Sequence, residues 1–235
     1  MITIKQLHKR FGKNQVLKGV DLDIAQKGVV AILGPNGSGK TTLIKSILGM
    51  VIPDKGELCV DDISIKKGWK YRDQIDYLPQ IANFPANLKV KELIAMIKDL
   101  RNRPGADDKL ISLFKLEPFL SKKLNTLSGG TKQKVNLVLT LMFDSPIIIL
   151  DEPTSGLDPI AMIHLKEMIA EEKAKGKIIL ITSHIMSFVE EIADEIVFLL
   201  EGKVYFKGDI DALKAQTQAS NFEHAIANLL THDDA

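Results

Sequence analysis

The sequence predicts an α/β fold: a parallel β-sheet core, an antiparallel β portion ahead of it, and a helical insertion within it. Three observations carry that prediction. The apolar run "VVAIL" (29–33) leads through a glycine-rich loop into "TTLIKSILG", whose apolar residues at 43, 44, 47 and 48 have helical spacing. "IIIL" (147–150) and "KIILIT" (177–182) are two more buried-strand runs. A helical pattern at 159–174 separates them, which makes a βαβ unit and hence a parallel pairing. Third, the first 30 residues alternate in short strand-like runs with turns between them.

Taken in order, "MITIKQL" and "VDLDI" read as strands, with turns at Gly12 to Asn14 and Gln26 to Gly28. "VVAIL" ends at Gly34, and Gly49 is a C-cap for the helix after the loop. In "KVKELIAMIKDL" (89–100), Val90, Leu93, Ile94, Ile97 and Leu100 fall on one helical face. More helix follows to about 143, so the insertion spans about 82–145. "EIVFLLEGKVYFKGD" reads as a hairpin turning at Glu201-Gly202, followed by short C-terminal helices. The expected organisation is one domain over 1–212 and a short helical tail over 213–235.

A chain of 235 residues, 45% hydrophobic, can bury a substantial core. Its 31 basic and 30 acidic residues leave a net charge of +1, which argues against a nucleic-acid-coating protein. The single cysteine, Cys59, has no partner for an internal disulfide and suits the cytosol. "MITIKQLHKR" lacks the apolar stretch of a signal peptide. The longest apolar region, "VNLVLTLMFDSPIIIL", is cut by Asp144, Ser145 and Pro146, so no membrane span is expected.

"GPNGSGKTT" (34–42) fits G-x-x-x-x-G-K-[ST] between a buried strand and an amphipathic helix. Backbone N–H groups from Gly34, Pro35, Asn36, Gly37, Ser38 and Gly39 onward can wrap phosphates, Pro35 being the one position without such a donor. Lys40 would reach the β and γ phosphates, Thr41 would ligate Mg²⁺, and Thr42 continues the helix start. A parallel sheet carrying this loop resembles a P-loop NTPase with a RecA-like core, which implies a nucleotide and Mg²⁺ as its cofactors. "IIILDEP" (147–153) ends a strand in two carboxylates: Asp151 suits the Mg²⁺ shell and Glu152 a general base for the attacking water. Gln80, leaving a strand in "LPQ", can offer its amide oxygen to Mg²⁺ or to the water, although solvated loop glutamines are common. His184 in "TSH" follows the strand "KIILI" and can donate to a γ-phosphate oxygen, or be an ordinary loop histidine. In "SGLDP", Asp158 caps a helix that begins at Pro159. In "LSGGTKQ" (127–133), Ser128 is an N-cap and Gly129 and Gly130 a flexible lead-in, yet a bare helix N-terminus is also an anion site.

In that order, Phe11, the P-loop, Gln80, LSGGTKQ, IIILDEP, SGLD and His184 carry a resemblance. The chain resembles the nucleotide-binding subunit of ABC transporters from about residue 2 to 212. The resemblance implies a head-to-tail pair of copies with two ATP between them. It implies that Ser128, Gly129, Gly130 and Gln133 of one copy face the γ-phosphate held by the other's Lys40. It further implies that Asp158 lies at that interface, that Glu152 is the catalytic base, and that His184 holds the γ-phosphate. Phe11 occupies the place of the adenine-stacking aromatic, usually Tyr; it keeps the π face and loses the hydroxyl. Lys134 stands where Arg is frequent, a departure from which little effect is expected. The resemblance implies that "QIANFPANLKVKEL" (80–93) meets integral membrane permease subunits, with Phe84, Pro85 and Leu88 as candidate contact residues, unless these apolar residues pack inside the helical insertion. That would hold the chain on the inner face of the cell membrane. A finer similarity links "YLPQIANFP", "LSGGTKQKVNLVLTLMFDSP" and the short tail to ATPase subunits of the nitrous-oxide reductase maturation transporter.

The rival reading within the family is a soluble ATPase acting on a macromolecular complex. Translation-type members generally join two such domains and repair-type members insert a long coiled coil; this sequence has neither. A GTPase should show an N-K-x-D base-reading element, and none occurs.

Overall fold

The computed structural model describes residues 1–25 and 27–231. In chain order its strands and helices are β1 (Ile2–Phe11), β2 (Asn14–Ile24), β3 (Gly28–Leu33), α1 (Lys40–Ile47), β4 (Lys55–Val60), β5 (Ile63–Ser64) and β6 (Ile75–Leu78). There follow α2 (Val90–Arg101), α3 (Asp107–Leu113), α4 (Gly129–Leu141), β7 (Ile147–Asp151), α5 (Pro159–Ala174) and β8 (Ile178–Thr182). The chain ends with α6 (Met186–Ile192), β9 (Glu195–Leu200), β10 (Lys203–Gly208), α7 (Ile210–Thr217) and α8 (Phe222–Thr231). Two compact units form: Met1–Arg72 with Ile178–Ala235, and Asp73–Lys177.

In the first unit, an antiparallel sheet runs in the order β2-β1-β4-β5. Ile2, Ile4 and Leu7 of β1 face its core, a period of two broken once. The break is a bulge at Gln6 (φ 48), which shifts the register between Ile4 and Leu7 and lets the apolar side stay inward. Beside this sheet in the same unit, β3 is flanked by β8 and β9, both parallel to it. All six residues of β3 are buried, as expected of a strand covered on both faces. The β9–β10 hairpin turns at Glu201 (φ 46) and Gly202 (φ 79), the two left-handed residues of a tight hairpin turn. The turn expected at 26–28 includes Gln26, which lies outside the described residues, as do the last four residues of the expected tail.

In the second unit, β6 and β7 pair in parallel and helices α2 to α5 surround them in sequence. Val90, Leu93 and Ile94 of α2 are buried as expected, but Leu100 is 74% exposed. At about 100° per residue Leu100 stands within roughly 20° of buried Leu93, at the edge of the stripe in the last turn of the helix, whereas residue 101 falls between Val90 and Ile94. Arg101 takes that place: its guanidinium donates to the Ile75 carbonyl (3.1 Å) and to buried Asp76 (3.2 Å), and lies over the Phe143 ring. Among the described residues, no helix is long and apolar enough to cross a membrane.

Candidate nucleotide site

The phosphate loop belongs to the first unit. It starts at Gly34, where φ is 141 and an added Cβ would run into the Leu199 carbonyl oxygen, so only glycine fits. The loop is closed by Ser38 N–H donating to the Pro35 carbonyl (3.2 Å), and α1 begins at Lys40. The Lys40 ammonium donates to the carbonyls of Gly34 (2.7 Å) and Pro35 (3.1 Å), which holds it across the loop mouth. Asn36 and Gly37 form an exposed tip; Thr41 is exposed, while Gly39 is buried and Thr42 half-buried. The Ser38 hydroxyl is buried with no hydrogen-bond partner. An orphaned hydroxyl and a fixed ammonium, beside the N-terminus of α1, suit a polyphosphate.

Phe11 ends β1 and is 50% exposed. Further along the same hairpin, the Val16 carbonyl and Leu17 Cδ2 stand 3.1 and 2.9 Å from where a Gly39 Cβ would be, so the hairpin abuts the loop. His184 is exposed two residues beyond the end of β8. Of the other histidines, His232 lies outside the described residues.

The carboxylates and the glycine pair belong to the second unit. Asp151 closes β7 and is buried, and Glu152 follows it, also buried, at φ 54. A non-glycine residue in the left-handed region costs on the order of 1 kcal/mol, the kind of strain that collects at functional positions. Nearby, the Tyr77 phenol is pushed up to about 12 by burial and by the Asp151 charge. Gln80 is exposed just past β6.

Ser128 caps α4 as expected, accepting from the Thr131 N–H (3.3 Å) and bonding the Thr131 hydroxyl (2.8 Å). Ser128 and Gly129 are exposed. Gly130 is held close to Gly156: a Cβ there would sit 2.5 Å from the Gly156 carbonyl oxygen. Gln133 turns inward, is 7% exposed, and donates to the Pro153 carbonyl (3.1 Å). Asp158 caps α5 by accepting from the Ala161 N–H (2.9 Å), the role expected of it. Its carboxylate also meets the Lys134 ammonium at 2.6 Å, which, with the Ala161 N–H, holds its pKa below the usual range. The structure therefore gathers Ser128 to Gln133, Pro153, Gly156 and Asp158 into one cluster. Lys134, Thr131, Pro153 and Gly156 were not singled out for it; the Lys134–Asp158 pair spans 24 positions, and nothing local in either segment announces it. Phe84 is half-buried beside a cavity of about 230 Å³ that Leu124, Lys132 and Val135 also line. Pro85 is exposed and Leu88 half-buried.

Comparison with known proteins identifies the family. The "ABC transporter" family model matches residues 17–155. The chain is 33% identical over 219 residues to the lantibiotic transport ATP-binding protein SrtF of Streptococcus pyogenes, covering 90% of this chain and 92% of that one. It superposes on a solved ATP-binding subunit of an ABC transporter with a TM-score of 0.91, at 30% identity, covering 98% of this chain and 100% of the other. It is also similar to the ATP-binding cassette MJ0796 in a dimeric post-hydrolysis state bound to ADP and Pi (TM-score 0.76, 27% identity, 89% and 98% covered). Loop, carboxylates and LSGGTKQ stretch thus share a single explanation: the chain belongs to the ABC transporter family, as one of its ATP-binding, ATP-hydrolysing subunits.

Proposed function

We propose that this chain is the motor of a membrane transporter, working as a head-to-tail pair of copies that close around two ATP. The observation that carries this reading is the exposed start of α4, an anion-accepting helix end capped by Ser128, in a chain that already has a P-loop. In the closed pair, Ser128, Gly129 and Gly130 of one copy meet the γ-phosphate held by Lys40 of the other. Thr41, Asp151 and Gln80 would hold Mg²⁺, which would supply positive charge to the phosphates. Glu152 takes a proton from the attacking water as its oxygen bonds to the γ-phosphorus and ADP departs. His184 donates to a γ-phosphate oxygen, Phe11 stacks on adenine, and Asp158 faces the other copy. Gln133 enters only as support, since its amide is committed to Pro153.

The partners are integral membrane permease subunits, met through Phe84, Pro85 and Leu88, which holds the chain on the inner face of the membrane. As a finer reading, the transporter serves nitrous-oxide reductase maturation; its support is the sequence stretches named above. Deleting the gene should then leave that reductase without its copper site, and an unaffected reductase refutes the assignment.

Glu152→Gln tests the core of the proposal, because an amide cannot take the proton. The variant should bind ATP, stop turning over, and sediment as a dimer with ATP but not with ADP. Wild-type turnover in the variant removes Glu152 as base.

A further inference from the structure

We infer that Lys9 is a positioning residue for the Phe11 ring, locking it for base stacking and tying it to the chain segment that leaves the P-loop helix. This rests on the proposed stacking of Phe11 on adenine. Lys9 and Phe11 are two apart on β1 and share a face of the strand. The Lys9 ammonium stands 5.2 Å from the Phe11 ring centroid. Phe11 is half exposed, yet the Lys9 side chain is only 16% exposed.

That ammonium is anchored. It donates to the Ile52 carbonyl (2.8 Å) and to Asp54 Oδ1 (3.3 Å). The other Asp54 oxygen accepts from the Arg10 N–H (2.7 Å), and the Asp54 N–H donates to the His8 carbonyl (2.9 Å). Residues 50–54 are themselves fastened to α1, because Met50 and Val51 N–H both donate to the Lys45 carbonyl (2.8 and 3.0 Å). A continuous set of bonds therefore runs from the phosphate-binding helix through Asp54 and Lys9 to the aromatic ring. A cation on one π face attracts the ring and fixes its plane, leaving the opposite face for a base. Phe11 has no hydroxyl with which to anchor itself.

The test uses the full chain and two probes, ATP and inorganic tripolyphosphate, which has phosphates and no base. Lys9→Met keeps the aliphatic stem and removes the charge. It should weaken ATP binding about 2- to 5-fold, the worth of one exposed cation–π contact. Tripolyphosphate affinity should stay unchanged, and Lys9→Arg should restore ATP affinity. In a Phe11→Leu background, Lys9→Met should cause no further loss. Equal weakening toward tripolyphosphate, or an undiminished Lys9→Met loss without the ring, overturns the inference. Phe11→Leu with wild-type ATP affinity overturns the stacking reading itself. Weakened Phe11→Leu beside an unaffected Lys9→Met overturns the Lys9 role alone.

Discussion

Gly129 and Gly130 are adjacent in the first turn of α4, but only one of them has a neighbour. A Cβ at Gly130 would sit 2.5 Å from the Gly156 carbonyl oxygen; at Gly129 it would meet nothing within 4 Å. Carbon and oxygen need upwards of about 3.3 Å, so Gly130→Ala must displace one backbone by roughly 0.8 Å. Neither side yields easily. Gly156 is two residues from Asp158, which is fixed by the Ala161 N–H and by Lys134. Overpacking of this kind costs about 1–3 kcal/mol. Both substitutions share the gain of replacing a helical glycine by alanine, up to about 1 kcal/mol. Their difference therefore isolates the clash: Gly130→Ala should be less stable than Gly129→Ala by about 1–3 kcal/mol. In a chain of this size that separates the melting points by roughly 2–12 °C. Urea unfolding of the nucleotide-free protein measures it. Equal midpoints for the two variants, or a less stable Gly129→Ala, would refute the claim that the LSGGTKQ turn and the SGLD turn are packed backbone to backbone.

Two predictions concern the neighbouring contacts. Gln133→Leu leaves the Pro153 carbonyl without its buried donor, which should cost about 1–3 kcal/mol. Because Pro153 follows Glu152, kcat should fall while the Kd for ATP holds; steady-state kinetics and a nucleotide titration check both. Tyr77 carries a pH effect. Its folded pKa, about 12, lies above the ordinary 10.0. A raised pKa gives a contribution fully present below pH 10 and lost as pH rises toward 12. Tyr77→Phe should therefore flatten the fall in stability across that window, read by urea unfolding at stepped alkaline pH.

Local grammar made much of this molecule legible. The strand, glycine loop and helix around Lys40 follow from spacing alone, and helix α5 begins at Pro159 behind its Asp158 cap, as read. The hairpin at Glu201-Gly202 is equally local. What escaped reading is non-local. Strands β4 and β5 are made by pairing with β1 and with each other rather than by apolar alternation. Short α6, of seven residues, holds too few turns to show a period. The resemblance turns Gln133 toward the other copy's γ-phosphate and gives no sign of its buried bond to Pro153, a partner 20 positions away. Leu100 fits the apolar face of α2 by spacing, but it lies at that face's edge in the last turn, and the charged Arg101 takes the inner position through Asp76.

If one copy cannot complete its own ATP site, two copies damaged at different places should rescue each other. Ser128→Arg fills the helix end that the other copy's ATP requires, and Lys40→Ala empties the P-loop. Each variant alone should be inactive in ATP hydrolysis. Mixed, they form a pair with one intact composite site, made of Lys40 from the first chain and Ser128 from the second. Mixing should restore ATPase activity in proportion to the mixed pair. No recovery on mixing, while mixed pairs are seen to form, would contradict it.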